Sequence, residues 1–578
     1  MTVALVLAAY MVVPAPPNAA RIAEIAAMLP ERPAWTDSLP KANTAKADKL
    51  LAEPIPDCSD ELYLLFTKTG NRTEYQKVYG QRMANLVALA AAAGKTGDKK
   101  YVDRVAEYIE AICSERAWTM PAHDSNLKNF KGKWISVDLG ASHRAYGMAE
   151  ALCLAGDRLP PAVVARARAE MERRVFAVYR RASLLDSVKA TSDAGCWWFF
   201  GYSNWNAVCH SCIVRAALAV IEDRNDRAIF VEGAERGARC FFTGFLPDGY
   251  CTEGSGYWNY GYGHFLELTR AVRVATGGKV DFSKLNGARK PFEYGFGYRL
   301  LGGTAPDFAD GGNRAPADNY LKIGVEFWPD LRPLLKGPPP PRTWFPNGQV
   351  YIGRAKDFAF GVKGGNNAEL HNHNDVGSWS LMVGKLLVAG DPGGETYTKR
   401  TFSPRRYESK VLNSYGHPVP VVAGQLQKAG EKYAAKIVST SFSDDRDEVV
   451  IDIAAAYPER PAKLTRTVVF ERGAAPRVSI RDDVAFDAPA AFESPFVTCA
   501  KVERAADGRS LVVTGGKGKA KESRRVRVDV EASGGDWEWV EDTIENPDHP
   551  SAHRLAVRFK NPVAKASVVF KMAEVPFP

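Results

Sequence analysis

The chain has 578 residues and a formal net charge of +9. Its 46% hydrophobic and 25% charged residues are typical of a globular protein and exclude a disordered or fibrous chain. Because single hydrophobic cores stop growing at roughly 250–300 residues, we expect at least two domains. The positive charge favours an acidic partner weakly, and no feature of the sequence indicates a nucleic acid partner.

The first twenty residues contain an apolar run followed by proline and small residues. This pattern is similar to the end of a secretory signal peptide, although the positively charged start is missing. We therefore predict residues 1–20 to be a signal-peptide remnant and the protein to be periplasmic or secreted, with an apolar first helical turn as the alternative. No other run approaches the ~20 apolar residues of a membrane-spanning helix, so no membrane span is expected.

Residues 21–335 repeat apolar residues at three- and four-residue spacing, which predicts successive helices. Helix pairs of this kind either close into an α/α toroid or form an open solenoid, and periodicity alone does not choose. The segment KGPPPPRTWFPNG, residues 336–348, predicts a stiff linker. Residues 349–578 carry short alternating runs rich in Val, Ile, Phe and Tyr, which predict antiparallel β-sandwich layers. The junction of the two domains is the expected place for a cleft.

Nine cysteines are scattered along the chain, so at least one of them is unpaired. Cys209 and Cys212 form a single CxxC within a helical pattern. Redox chemistry and metal binding both use this spacing, but no second CxxC accompanies it. We predict that the two cysteines are small, buried core residues.

Histidine is rare in the chain, yet His371 and His373 lie two residues apart in the run HNHND. In a strand or an extended turn, both imidazoles would point to one face. Asp391 and His417 follow, and His373, Asp391 and His417 have the donor chemistry of a zinc site. The alternative is a turn in which Asn and Asp bond the backbone, with unrelated polar residues at strand ends.

Two blocks in the helical half combine polar and aromatic residues, YSNWNAVCHSC at 202–212 and DGYCTEGSGYWNYGYGHF at 248–265. Aromatic side chains suit stacking on sugar rings, although they also pack in ordinary cores. The aromatic candidates in the second block are Tyr257, Trp258, Tyr260 and Tyr262. For Asn206 and His210 the alternatives are a helix cap and a satisfied buried histidine.

These motifs together resemble the heparinase II/III family of polysaccharide lyases. The run from HNHND through DPGGETY to SYGHP is similar to the C-terminal domain of that family, and the two helical blocks are similar to motifs of its toroid. The resemblance implies a multidomain α+β fold, with an N-terminal α/α toroid (an incomplete helical barrel) and a C-terminal antiparallel β-sandwich. It also implies cleavage of a uronic-acid glycan by β-elimination.

The resemblance assigns roles to individual residues. Asn206, helped by His210 or Arg215, would neutralise the uronate carboxylate. Tyr260, with Tyr257 as its substitute, and His371 would act as acid and base. The family's structural Zn²⁺ would be held by His373, Asp391 and His417, of which His417 is the least typical because Pro418 follows it. Substrate contacts are expected from Asn204, Trp205, Trp258, Glu253 and Arg405.

Other functions remain open at this point. The substrate is expected to be an acidic polysaccharide, either a glycosaminoglycan or an unsulfated uronan such as alginate. Basic residues near the β-domain motif, Lys363, Arg400, Arg405 and Arg406, are candidates for sulfate or carboxylate contacts. A glycoside hydrolase would instead need two carboxylates, for example Glu253 and Asp310. A glycan-binding protein without turnover is the third alternative, and the protein is either a monomer or a homodimer.

Overall fold

The computed structural model describes residues 14–516 and 523–577. These residues form two compact units. The helical unit comprises residues 14–244, 260–288 and 397–402, and the β-rich unit comprises residues 245–259, 289–396 and 403–577. The division therefore does not follow the boundary expected from the sequence, since residues 289–335 group with the β-rich unit.

The helices follow the predicted apolar periodicity, and two π-helical turns interrupt them, at Glu172–Phe176 and Trp258–Tyr262. The helices are α1 (Ala19–Met28), α2 (Thr44–Ala52), α3 (Asp60–Thr69), α4 (Thr73–Thr96), α5 (Lys99–Cys113), α6 (Leu139–Ala155), α7 (Pro161–Met171), α8 (Ala177–Ser183), α9 (Val188–Asp193), α10 (Asn204–Val220), α11 (Arg224–Phe241), α12 (Ser255–Tyr257), α13 (Gly263–Ala275), α14 (Arg289–Gly297) and α15 (Asp318–Phe327).

Helix α10 is the centre of the helical unit because almost every residue along it is buried. A helix that is buried on all sides must be surrounded by other elements, and α10 packs against α6, α11 and α13. Asp138 caps the start of helix α6, since its carboxylate accepts a hydrogen bond from the backbone N–H of Ala141 at 2.7 Å. This packing brings side chains from α6, α10 and α13 into contact.

The β-rich unit contains antiparallel sheets. Their strands are β1 (Arg342–Phe345), β2 (Val350–Arg354), β3 (Phe358–Lys363), β4 (Asn366–Asn367), β5 (Trp379–Val383), β6 (Leu386–Gly390), β7 (Val421–Val422), β8 (Gly430–Ala434), β9 (Lys436–Phe442), β10 (Arg446–Asp452), β11 (Lys463–Glu471), β12 (Arg477–Ala490), β13 (Phe492–Thr498), β14 (Lys501–Arg504), β15 (Leu511–Gly515), β16 (Arg524–Ser533), β17 (Trp537–Ile544), β18 (Ala552–Phe559) and β19 (Val563–Val575). The strand orders are β1-β2-β3-β5-β6, β14-β15-β16-β19-β12-β11-β10-β9, β17-β18-β13-β7 and β4-β8.

The three larger sheets share one hydrophobic core, as expected for a β-sandwich. Strands β10 and β11 alternate buried and partly exposed residues, so one face of their sheet meets the core. Strands β2, β3 and β5 are buried along their whole length. Part of the segment that was predicted to be a linker is a strand. Residues Arg342 to Phe345 form β1 and pair with β2.

No helix among the described residues is long and apolar enough to cross a membrane. The predicted signal-peptide remnant lies largely outside the described part of the chain, which begins at residue 14.

Candidate active site and metal site

His371 lies in the loop between β4 and β5, in a left-handed backbone conformation with φ 55°. Such a conformation costs a non-glycine residue about 1–3 kcal/mol, and its occurrence in a polar cluster is typical of functional sites. His371 and His373 meet on one carboxylate, that of Asp310. His371 Nδ1 lies 3.1 Å from Asp310 Oδ2, and His373 Nε2 lies 2.9 Å from Asp310 Oδ1. The two imidazoles are therefore brought together by a loop and a shared partner rather than by one face of a strand.

Asp310 is buried and its charge is held by three partners. Arg406 Nη2 lies 2.9 and 2.8 Å from its two oxygens, in addition to the two histidines. Burial acts to raise the pKa of Asp310, but the hydrogen bonds from His371 and His373 and the charge of Arg406 lower it well below its usual range. Asp310 is therefore an anion at neutral pH, and its hydrogen bond fixes the tautomer of His371 with the hydrogen on Nδ1.

The other nitrogen of His371 faces a second carboxylate, since Nε2 lies 3.5 Å from Glu253 Oε2. The ring of Tyr257 stacks on the His371 ring with centroids 4.0 Å apart. Glycines make this approach feasible. A Cβ atom at Gly256 would lie 1.9 Å from the carbonyl oxygen of Gly311, so only glycine lets the start of α12 pack against the turn that carries Asp310.

Replacing Arg406 with methionine is expected to destabilise the protein by on the order of 3 kcal/mol, because it leaves the buried Asp310 carboxylate without its cation. A carboxyl group with a lowered pKa contributes stability above its unfolded pKa of about 3.9 and loses it as the pH falls. The wild type and Arg406→Met should therefore differ most in their free energy of unfolding at pH 7, and this difference should shrink below about pH 4. Denaturant unfolding at several pH values measures it.

Arg405→Met is the matched control, because Arg405 is exposed and its guanidinium pairs at the surface with Glu408, 2.9 Å away. Equal stability of the two variants at pH 7 would contradict the role given to Arg406.

His373, Asp391 and His417 form a second cluster, in which one ligand atom from each lies within 4.8 Å of the others. His417 Nδ1 lies 3.1 Å from Asp391 Oδ2, and His373 Nε2 binds Asp310. The other nitrogen of His373, Nδ1, is buried without a hydrogen-bond partner. A buried nitrogen of this kind is costly unless something binds it, and histidine ligands of metals usually bond a carboxylate through their other nitrogen, as His373 does with Asp310. The three residues fit a Zn²⁺ ion.

Solved structures resemble the chain over most of its length. The heparinase III BT4657 gene product has a TM-score of 0.62 at 11% identity, with 92% of this chain and 88% of that one covered. A crystal structure of heparinase III gives a TM-score of 0.62 at 15% identity, with 86% and 77% covered. Heparan sulfate lyase HepC from Pedobacter heparinus gives 0.56 at 12% identity, with 96% and 88% covered.

The chain has the heparinase III fold. The predicted order of a helical toroid followed by an antiparallel β-sandwich is thereby confirmed. No protein-family profile and no curated protein matches the sequence, so the structural likeness carries the comparison by itself.

Asn206 and His210, which were predicted to be catalytic, are both buried and bond the protein's own backbone. The side-chain amide of Asn206 is directed at the backbone carbonyls of Phe199, Gly201 and Gly237, at 2.9 to 3.0 Å. His210 accepts a hydrogen bond from Tyr179 and donates one to the Phe199 carbonyl, and burial lowers its pKa to about 3. The helical spacing predicted their common face correctly, but that face is turned into the core.

Several predicted substrate contacts are also internal. Trp258 is fully buried, and its indole N–H donates to the Pro291 carbonyl at 2.6 Å. Tyr262 is buried and bonds the Ala288 carbonyl. Lys363 is 2% exposed and is paired with Asp375 at 2.8 Å, so it is not available to a sulfate group. Arg215 is buried between Asp37 and Glu267.

Trp205 belongs to a partly exposed aromatic group. Its ring lies 4.7 Å from that of Trp197 and 4.5 Å from that of His123, which is tethered to Asp138. Trp197 is 48% exposed, an unusual value for tryptophan, and sequence reasoning missed it. Asn204 is the first residue of α10 and is buried. The Trp197 and Trp205 rings offer a platform suited to sugar stacking.

Tyr260 lies in a polar group that the sequence did not reveal. Its hydroxyl lies 3.0 Å from His143 Nε2, and its carbonyl accepts a hydrogen bond from His264 Nδ1 at 2.6 Å. Burial raises the pKa of Tyr260 well above its usual value. Tyr260 is therefore a neutral phenol at ordinary pH, able to donate a proton but not to accept one.

Proposed function

We propose that the protein is a polysaccharide lyase that cleaves a uronic-acid glycan by β-elimination. The observation that carries the proposal is the arrangement of His371, with Asp310 bonded to Nδ1 and Tyr257 stacked on the ring. The heparinase III fold supports it, since solved structures with that fold are named as heparinase III and heparan sulfate lyase.

In this proposal His371 is the base. Its Nδ1–H donates to Asp310, and Nε2, the nitrogen that faces Glu253, takes the proton from C5 of the uronate. Asp310 stays anionic and stabilises the imidazolium that forms, while Arg406 keeps the carboxylate in place. The electron pair left at C5 forms the C4–C5 double bond as the bond from C4 to the glycosidic oxygen breaks.

Tyr257 is the proposed acid, which protonates the departing oxygen at O4. It is chosen over Tyr260 because its ring stacks on that of the proposed base, His371, with centroids 4.0 Å apart. A preorganised hydrogen-bond donor beside the uronate carboxylate would stabilise the charge that develops during proton removal.

The proposed substrate is a glycosaminoglycan of the heparan sulfate class, with alginate and other unsulfated uronans as the alternative. The net charge of +9 favours an acidic polymer, and Arg405 is an exposed cation of the β-rich unit. The exposed ring of Trp197 and the half-buried ring of Trp205 would stack on sugar faces.

A panel of heparan sulfate, heparin, hyaluronan, chondroitin and alginate tests this proposal. Elimination leaves an unsaturated uronate that absorbs in the ultraviolet, so absorbance should rise together with new reducing ends. New reducing ends without absorbance would indicate a hydrolase. That alternative is disfavoured because Glu253 and Asp310 both contact His371, and Asp310 is locked as an anion. Binding without cleavage would indicate a glycan-binding protein.

We further propose that His373, Asp391 and His417 hold a structural Zn²⁺. When bound, the metal would tie the HNHND loop to the strand end that carries Asp391, and it would take no part in the elimination. We also propose that the protein is exported to the periplasm or the exterior, because its proposed substrates, acidic polysaccharides, lie outside the cell.

Removal of this metal by a chelator is expected to lower the melting temperature by several degrees, because a ligand at 100 times its Kd stabilises the folded state by about 2.7 kcal/mol. Adding Zn²⁺ back should restore it. His417→Ala should melt at the lower temperature from the start and respond much less to the chelator. Identical melting curves of the wild type with and without chelator, at a measured loss of zinc, would contradict the proposal.

A further inference from the structure

Three metal-ligating side chains meet in the helical unit, where the proposed elimination uses none of them. They are His143 on α6, Cys212 on α10 and His264 on α13, and one ligand atom from each lies within 4.8 Å of the others. Cys212 Sγ lies 3.6 Å from His143 Nδ1. Cys212 is the second cysteine of the CxxC motif, while Cys209 is buried elsewhere on the same helix.

The hydrogen bonds to Tyr260 use one nitrogen of each imidazole, so the other nitrogen of each can bind a metal. A carbonyl oxygen only accepts, so the hydrogen of His264 lies on Nδ1, which bonds the Tyr260 carbonyl, and the lone pair lies on Nε2. In the tautomer that binds a metal, His143 Nε2–H donates to the Tyr260 hydroxyl oxygen and the lone pair lies on Nδ1, 3.6 Å from Cys212 Sγ. Histidine ligands of metals are normally oriented by such a bond from their second nitrogen. Here one residue, Tyr260, orients both.

The charges around the cluster suit a cation. Burial lowers the pKa of His143 to about 3 and that of His264 to about 4, so both imidazoles are in the neutral form that binds metals. Burial raises the pKa of the Cys212 thiol to about 12, so its proton leaves only when a cation replaces it. The nearby charge of Arg215 is offset by Asp37 and Glu267, at 2.9 and 2.7 Å.

We propose that His143, Cys212 and His264 form a second metal site, which binds a thiophilic cation of the Zn²⁺ class. The ligands are His143 Nδ1, Cys212 Sγ and His264 Nε2, with a fourth position for water. On binding, the S–H bond breaks, its proton passes to solvent and the thiolate takes the metal. The sulfur ligand distinguishes this site from the cluster of His373, Asp391 and His417.

Cobalt titration of metal-free His417→Ala protein tests the proposal, because Co²⁺ bound to a thiolate gives a charge-transfer band in the near ultraviolet and the first cluster has no sulfur. We expect each chain to bind one Co²⁺ ion and to show the charge-transfer band. Added Zn²⁺ should displace the cobalt and remove the band. Adding Cys212→Ser should abolish the band and weaken binding at least about tenfold. Adding Cys209→Ser instead, a change at an equally buried cysteine of α10, should leave the band intact.

Circular dichroism and thermal unfolding establish that each variant is folded. Should His417→Ala fail to fold, the wild type is titrated instead and should bind two Co²⁺ per chain with the same band. Should Cys212→Ser fail to fold, His264→Gln takes its place. It should bind Co²⁺ at least about tenfold more weakly, so that the band is weaker at the same cobalt concentration. A folded protein saturated with Co²⁺ that shows no band, or a band that survives Cys212→Ser, overturns the proposal.

Discussion

Replacing His371 with glutamine is expected to lower kcat for uronan cleavage by about 10²–10⁴, because the base that takes the C5 proton is lost. Glutamine keeps a polar side chain of similar reach, so the bond to Asp310 can be preserved in part and the fold should be retained. Substrate binding should change little, since the imidazole acts mainly in the transition state. The ultraviolet absorbance of the unsaturated product, followed over a range of substrate concentrations, gives kcat and KM separately.

His553→Gln is the control for this change, because His553 is an exposed histidine on β18 of the same β-rich unit. It should retain full activity and stability. If His371→Gln kept kcat within a few-fold of the wild type while remaining folded, His371 would not be the base and the proposed mechanism would fail at its first step.

Replacing Tyr257 with phenylalanine is expected to lower kcat by about 10²–10⁴, because only the hydroxyl that protonates O4 is removed. The ring that stacks on His371 stays, so the free energy of unfolding should change little. A substrate analogue with a good leaving group at C4 needs less protonation and should recover much of the lost rate. That recovery separates an acid from a residue that only positions the substrate.

Tyr260→Phe is the matched comparison, three residues further along the chain. Its hydroxyl bonds His143, so we expect a smaller loss of rate and no recovery with the activated substrate. The opposite ranking of the two variants would return the acid to Tyr260, as the family resemblance implied, and would contradict the assignment made from the geometry.

The choice between the two tyrosines shows what sequence patterns can and cannot supply. Tyr257 and Tyr260 are three residues apart, which on an α-helix would place them on one face. The π-helical turn at Trp258–Tyr262 follows Tyr257 and adds an extra residue to the turn. The two side chains therefore have different partners, and periodicity based on 3.6 residues per turn could not have predicted this.

Asp310 is a second example of what the sequence does not show. It is a single aspartate in a loop, and the sequence predicted it only as one of the two carboxylates that a glycoside hydrolase would need. Its function depends on contacts with residues more than sixty positions away, the two histidines and Arg406. Such contacts leave no periodic or spacing signal, because loops converge only when the surrounding sheets have formed.

The sequence by itself determined the helical and β-rich parts, because apolar spacing directly reflects which faces of helices and strands are buried. It also drew out the histidine-rich run HNHND and, through the family resemblance, the set of His373, Asp391 and His417, whose side chains the structure places together. Only the tertiary structure decided that Asn206 and His210 face the core, that Tyr257 lies on His371, and that His143, Cys212 and His264 meet. Each of those outcomes depends on how helices rotate and pack against one another, which local sequence does not specify.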